Sequence, residues 1–164
     1  MNKKRITAVL LTLVLALALA FAFAACTDDT LPPAAQEGTF RIVLAPASGE
    51  ADVYTVDIAK LERKGESSVY DALVYLVDNE GLEMTGTSSA EYGYMISTVG
   101  KLTPDSSKGE WISILTSVDR YQDKESVYAV NREYDGVTVW SSTVGVSSHR
   151  VEKDCVIYIT ILTM

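Results

Sequence analysis

The feature that most limits how this chain can fold is an uncharged stretch at its N-terminus. Residues 6–25 carry no charge and follow directly on Lys3, Lys4 and Arg5. A basic start followed by an apolar run is typical of a secretory signal, which is removed and takes no part in the fold. A run of this length can also span a bilayer. We therefore expect residues 1–25 to be a signal peptide, with a permanently inserted helix as the alternative.

The uncharged stretch ends in Phe23-Ala24-Ala25-Cys26, which resembles the lipobox of bacterial lipoproteins. In that motif, small residues precede a cysteine whose thiol takes a diacylglycerol before cleavage. Ala24 and Ala25 match the motif, whereas Phe23 stands where leucine is usual. The resemblance implies that Cys26 is lipidated and holds the protein at the extracytoplasmic face of the cell membrane, since two acyl chains give stable attachment. A plain signal peptide is the alternative here.

Charge limits the partners of the mature chain. Removal of residues 1–25 leaves 139 residues, with eleven basic against 22 acidic side chains and a net charge of −11. Nucleic acid and anionic lipid surfaces would repel such a domain. We expect no nucleic-acid partner, and a cationic or neutral ligand is compatible with this charge.

Cysteine and histidine are too few for most metal or redox chemistry. With Cys26 lipidated, Cys155 is the single remaining thiol, so an intramolecular disulfide is ruled out. Cys155 begins an apolar run and is expected to be a small buried side chain. His149 is the only histidine, so a zinc site of the usual kind is unsupported. We expect no metal site and no required cofactor.

The chain after Cys26 divides into a tether and one domain. Residues 26–38 contain proline, small and acidic residues that cannot form a core, and they are predicted to be a flexible tether. The domain is predicted to cover residues 39–164, a length that supports one core. Alternating apolar residues indicate a strand at 39–45, and a second strand is expected at 52–59.

One helix is clearly indicated at residues 69–80. Ser68 is a good N-cap and Gly81 a good C-cap, and Asp71 places a carboxylate in the first turn. Its apolar residues recur at helical spacing and form one stripe: Val69, Ala72, Leu73, Leu76 and Val77.

The second half of the chain has β character. A single helix among strands, with no repeated βαβ unit, indicates an α+β domain with a mostly antiparallel sheet and one packed helix. The expected strands are 82–86, 92–99, 111–118, 127–130, 137–140 and 155–162.

Four stretches in this order resemble a bacterial surface-domain family of uncharacterised function, itself similar to the C-terminal domain of transcobalamin and intrinsic factor. They are ESSVYDAL (66–73), YGYMISTVG (92–100), GEWISILTSV (109–118) and residues 134–161. The resemblance implies a β-grasp-like module and a possible corrinoid ligand. In transcobalamin a separate helical domain holds the other face of the corrinoid. Residues 39–164 contain no such domain, which argues against tight binding.

No group of residues in the sequence matches a known catalytic arrangement well. Ser147, Ser148 and His149 are neighbours without a nucleophile elbow, and a single loop histidine is expected to be solvated. The protein is therefore expected not to be an enzyme. Acidic residues that could collect calcium on loops do not match an EF-hand and are expected to be solvated: Asp119, Asp123, Glu125, Glu133 and Asp135.

Aromatic residues are the best ligand candidates. Some of them should be exposed and could form a platform for a flat ligand; the candidates for ligand binding are Tyr92, Tyr94, Trp111 and Tyr121. We expect a membrane-tethered, non-enzymatic ligand-binding module, possible partners being a corrinoid or a surface protein. The alternative is a cell-surface adhesion or structural module without a small-molecule pocket.

Overall fold

A computed structural model describes residues 32–163. The expected signal peptide and the lipidation site at Cys26 lie outside the described residues. Within the described part, no helix has the length and apolar character needed to cross a membrane.

Residues 32–163 form eight strands, one α-helix and three short 3-10 turns. The α-helix is α1 (Val69–Glu80). The strands are β1 (Thr39–Ala45), β2 (Asp52–Asp57), β3 (Met84–Ser89), β4 (Gly93–Val99), β5 (Glu110–Thr116), β6 (Asn131–Tyr134), β7 (Val137–Ser141) and β8 (Val156–Thr163).

Six of the strands form one mixed sheet in the order β2-β1-β8-β5-β7-β6, and β3 and β4 form a separate two-stranded ribbon. β1 and β8 run parallel at the middle of the sheet, with Ile42 opposite Ile157. All other neighbours are antiparallel. The central pair therefore joins the two ends of the domain.

The helix begins and ends where its local sequence predicts. The side-chain oxygen of Ser68 accepts a hydrogen bond from Asp71 N, while the Asp71 carboxylate accepts one from Ser68 N, which makes a capping box. Gly81 closes the helix with φ 70°, a left-handed conformation that glycine adopts without strain.

The main core lies on the first face of the sheet, beneath α1 and the β3–β4 ribbon. α1 buries one stripe of side chains, and Ile96 and Tyr94 of the ribbon pack against the same core. The central strands supply the other side of this layer: Phe40, Ile42, Leu44, Ile157 and Ile159. Burial of these side chains is the main favourable contribution to the fold.

A smaller core lies on the second face. We call it the second-face cluster, and it consists of Val43, Ala45, Leu115, Val139 and Val156, all 5% exposed or less. The hairpin of β6 and β7 covers it. The hairpin turn contains Asp135 (φ 50°) and Gly136 (φ 73°), the two successive positive φ angles that a tight type I′ turn requires.

The expected fold class, a β-grasp-like α+β domain with a mostly antiparallel sheet and one packed helix, is wrong. The described residues are 42% strand and 16% helix, so the domain is mostly β. Its main sheet is mixed, and the helix shares the cover of the first face with a ribbon. The order of strands depends on pairing between distant segments, which local periodicity does not specify.

Several segments differ from their sequence-based expectation. The strand expected at 52–59 ends at Asp57, and the one expected at 82–86 lies at Met84–Ser89. The strand expected at 127–130 lies instead at Asn131–Tyr134, and Val127 is 91% exposed in the preceding turn. Before β1, Ala34 N donates to Gly65 O at 2.8 Å and Ala35 N to Val151 O at 2.9 Å. Backbone contacts of the domain thus reach back into the segment expected to be a tether.

Candidate functional site

The candidate site is a groove along the outer flank of α1, which we call the helix groove. It has a volume of about 450 Å³. Residues 60–63 form one wall, following the 3-10 turn Ile58–Lys60. Side chains of α1 form the floor and the other wall: Tyr70, Asp71, Val74, Tyr75, Asp78 and Asn79.

The floor of the helix groove is apolar and aromatic. Tyr70, Val74 and Tyr75 flank the buried stripe of α1 and are only partly covered. Residues four apart on a helix lie on the same side, so Tyr70 and Val74 form a continuous surface. Such a floor with polar rims is the usual lining of a small-molecule site.

The rims of the helix groove carry charges of both signs. Arg63 lies 3.8 Å from Asp71 and 3.4 Å from Glu66. Lys60, Glu62 and Asp78 line the groove and have no ion-pair partner among the described residues. One cation and two carboxylates are thus left to meet a ligand.

Tyr94 supports one end of the helix groove. Its ring lies 4.7 Å from the ring of Tyr70, with an interplanar angle of 33°, a spacing typical of attractive aromatic pairs. The backbone N–H of Tyr94 donates to Ser147 Oγ at 2.9 Å. The ribbon therefore holds the Tyr70 ring against the helix.

The structure does not bring the four predicted ligand-binding residues together. Tyr92 is 64% exposed in the turn between β3 and β4, and Trp111 is 39% exposed on the second face of the sheet, since it alternates with the core residue Ile112. Tyr121 is buried in the main core. Tyr94 alone adjoins the helix groove, through Tyr70.

His149 is buried, so the expectation that it is solvated is wrong. Its Nε2 lies 2.9 Å from Thr116 Oγ1 and its Nδ1 lies 3.1 Å from Arg150 O. Burial lowers the pKa of His149 to about 4. Both ring nitrogens are occupied, and the Ser147 hydroxyl accepts a bond from Tyr94 N. The serine and histidine neighbours therefore form no nucleophile–base pair.

A second groove of about 470 Å³ lies between residues 117–120 and 152–155. An ion pair of Arg120 with Glu152 at 2.5 Å crosses it. Cys155 is buried, as predicted, and burial raises the pKa of its thiol to about 11. This groove has no aromatic floor, so it is the weaker candidate.

Three of the five acidic loop residues have carboxylates that are engaged within the domain. Asp119 pairs with Lys124 at 3.2 Å and Asp135 with Arg41 at 2.6 Å. Asp123 Oδ1 accepts from Glu125 N at 3.2 Å and from Ser126 N at 2.9 Å. Within residues 32–163, no group of three histidine, cysteine or acidic residues could hold a metal ion.

Comparison with known proteins shows the fold alone. No family model matches the chain, and no curated protein matches it. A crystal structure of a Ruminococcus gnavus protein to which metal binding has been attributed matches with a TM-score of 0.50 and 18% identity, over 78% of this chain and 99% of that chain.

Haptocorrin in complex with Cbi has a TM-score of 0.46 and 11% identity, over 77% of this chain and 26% of haptocorrin. The chain thus matches about a quarter of that protein, at a score too low to support an argument about ligands. At a TM-score of 0.50, the domain shares its fold with the Ruminococcus gnavus protein.

Proposed function

We propose that this protein is an extracytoplasmic lipoprotein, anchored through Cys26, whose domain binds a ligand in the helix groove without catalysing a reaction. The observation that carries the proposal is the groove itself. Its floor combines Tyr70, Val74 and Tyr75. Its rims leave Lys60, Glu62 and Asp78 without ion-pair partners in the described part of the chain. None of the side chains lining the groove is a serine, cysteine or histidine, so the serine–histidine and cysteine–histidine pairs of covalent hydrolases are missing from its lining.

A corrinoid is the ligand suggested by the sequence resemblance to the transcobalamin family. A groove of about 450 Å³ is in the range of small-molecule sites but does not enclose a large macrocycle. In this version of the proposal, the tyrosine floor covers one part of a flat ligand and the rest faces solvent or a partner. We expect correspondingly modest affinity.

Calorimetric titration of the mature protein with cobalamin and cobinamide tests the corrinoid version. We expect one-to-one binding that weakens at least tenfold in Tyr75→Ala and in Asp78→Lys. Tyr128→Ala and Glu80→Lys are matched controls outside the groove lining, and they should bind like the parent protein. Absence of heat and of spectral change at high micromolar protein would exclude a corrinoid ligand.

Membrane attachment is tested separately by Cys26→Ser. In the proposed lipoprotein, the parent sediments with the membrane fraction and incorporates labelled palmitate, whereas the variant does neither and is released outside the cytoplasm. A variant that still sediments with membranes would favour an uncleaved anchor.

A surface-contact module is the second candidate function, and one turn favours it. Ala129 N donates to Ser126 O at 3.0 Å, which closes a turn that leaves Val127 91% and Tyr128 83% exposed. Exposed apolar residues on a well-bonded turn are typical contact points for a partner protein. Loss of binding to purified cell-wall sacculi in a Val127→Ser, Tyr128→Ser double variant would favour this function; equal binding by parent and variant would count against it.

A further inference from the structure

We propose that the β6–β7 hairpin is a hinged flap that opens over the second face of the sheet while the main core stays folded. Opening would uncover the second-face cluster and create an apolar binding surface that is closed in the resting structure. This inference does not depend on ligand binding in the helix groove, which lies on the other side of the sheet.

The attachment of the hairpin to the sheet is narrow. β7 pairs with β5 at two positions, Leu115–Ser141 and Thr116–Trp140, and Ser142 N, directly after β7, donates to Ile114 O at 2.8 Å. In contrast, β5 pairs with β8 along its whole length. β6 is an edge strand and pairs with β7 alone. The hairpin can therefore rotate about one short junction and keep its own internal hydrogen bonds.

The far end of the hairpin is held by side chains across the sheet. Asp135, in the hairpin turn, lies 2.6 Å from the guanidinium of Arg41 on β1. The same guanidinium lies 5.4 Å from the centroid of the Tyr134 ring, and that ring lies 6.0 Å from the ring of Tyr158 on β8. The hairpin thus reaches over β5 and β8 to β1, which is not its neighbour in the sheet.

We call the ion pair of Arg41 with Asp135 the latch, and it is exposed to water. The side chains of Arg41 and Asp135 are 31% and 70% exposed, and exposed ion pairs are weak because solvent and salt screen them. No backbone pairing of β6 or β7 with β1 or β8 supports it. The latch therefore adds little to the closure of the second face.

The surface beneath the flap is apolar and small. Val43, Leu115 and Val156 lie on the sheet and Val139 on the flap, and each is 0% exposed. Separation of Val139 from the other three would expose apolar area on both sides. A ligand that is apolar and flat enough to lie against these strands would stabilise the open state by mass action.

Thiol labelling of the mature chain with Cys26→Ser tests the flap. A thiol introduced by Val139→Cys reports flap opening, and the native thiol of Cys155, which belongs to the main core, reports unfolding of that core. We expect the thiol at position 139 to react at least tenfold faster than Cys155. Its rate should also rise less steeply with urea, because opening exposes less surface than unfolding does.

The latch is tested by Asp135→Asn in the same background. We expect labelling at position 139 to accelerate about two- to fivefold, as loss of an exposed ion pair implies, with no change at Cys155. Asp52→Asn is the matched control, because it removes the exposed pair with Lys101 at 2.7 Å away from the flap. Equal labelling rates and urea slopes at the two thiols, or equal effects of the two aspartate substitutions, would overturn the proposal.

A second measurement avoids the substitution at position 139. Asp135→Asn alone should increase the fluorescence of 1-anilinonaphthalene-8-sulfonate, which binds exposed apolar surface, without a change in the far-ultraviolet circular dichroism. No increase over Asp52→Asn would contradict an openable flap.

Discussion

The Nε2 atom of His149 lies 2.9 Å from Oγ1 of Thr116, between the main core and the end of β5. The other ring nitrogen, Nδ1, lies 3.1 Å from the carbonyl oxygen of Arg150, which can only accept. Nδ1 therefore carries the proton, and in the neutral ring Nε2 accepts from the Thr116 hydroxyl. That hydroxyl oxygen also accepts from Val118 N at 3.0 Å, so a neutral His149 completes a buried hydrogen-bond network.

This network predicts a loss of stability in acid. Burial lowers the pKa of His149 from 6.5 to about 4 in the folded state. Between these two pH values the unfolded chain binds a proton at His149 that the folded chain does not bind. The stabilisation is fully present above about pH 6.5 and is lost as the pH falls toward 4. We expect the free energy of unfolding to drop by about 2 kcal/mol between pH 7 and 4.5 from this group.

Urea unfolding across this pH range, with His149→Gln as the control, isolates the effect. His149 is the only histidine in the chain, so the variant retains only the contribution of the carboxylates. The same slope of stability against pH in parent and variant would contradict a neutral buried histidine.

Gly86 is expected to tolerate no side chain. A Cβ at this position would lie 2.2 Å from the Met95 carbonyl oxygen and 2.7 Å from the Tyr94 ring, closer than real atoms approach. We expect Gly86→Ala to lower the free energy of unfolding by about 1–3 kcal/mol through overpacking. Gly145→Ala, where the nearest atom is 3.5 Å away, should have little effect. The comparison is made by chemical denaturation, and equal midpoints for the two variants would be inconsistent with the ribbon geometry.

The Cys155 thiol is expected to be inert in the folded protein. It is 5% exposed, and burial raises its pKa to about 11, so little thiolate forms near pH 8. In a Cys26→Ser protein, Ellman's reagent should react with no thiol under native conditions and with one thiol in concentrated urea. Rapid reaction without urea would show that the thiol is accessible.

The capping box at the start of α1 should contribute measurably to stability. Ser68→Ala removes the acceptor for Asp71 N and leaves a helix donor without its partner. We expect a loss of about 1 kcal/mol, measured by thermal or urea unfolding. Ser48→Ala, at an exposed bend, is a suitable comparison. A Ser68→Ala protein as stable as the parent would mean that the box contributes nothing.

The helix shows how far local sequence carries a prediction. Its bounds, Val69–Glu80, agree with the expectation from Ser68, Gly81 and the apolar spacing. Both caps act through bonds within a few residues, so their effect does not depend on the rest of the fold. The strand at 39–45 was also predicted to the residue, because apolar and polar residues alternate at its start. Its last four residues are all buried, since both faces of the sheet are covered there.

The hairpin shows where the prediction failed. Apolar residues at 127–130 favoured a strand there, yet Val127 and Tyr128 face solvent and β6 is the polar segment Asn131–Tyr134. The signal that would have located it is Asp135-Gly136, a dipeptide typical of a tight hairpin turn. It marks the end of one strand and the start of the next.

The helix groove could not be predicted from the sequence either. Tyr70 and Tyr75 were visible as residues beside an apolar stripe, but Lys60 and Arg63 face them only because the chain returns past α1 after β2. The aromatic residues chosen from the β-rich half separate onto a turn, the second face and the core. Alternation along a strand shows that neighbours point to opposite faces, and it does not show which face another element will cover.

By itself the sequence determined the elements whose causes are local: the capped helix, most of the strands, the burial of Cys155 and the acidic character of residues 26–164. Tertiary structure decided the rest, namely the parallel pairing of β1 with β8, the burial of His149 beside Thr116, the helix groove, and the closure of the hairpin through Arg41 and Asp135. The physical reason is the distance along the chain between the partners. Hydrogen bonds and periodicity within a few residues are written in the local sequence, whereas contacts between distant segments form only when the whole apolar surface finds its lowest free energy.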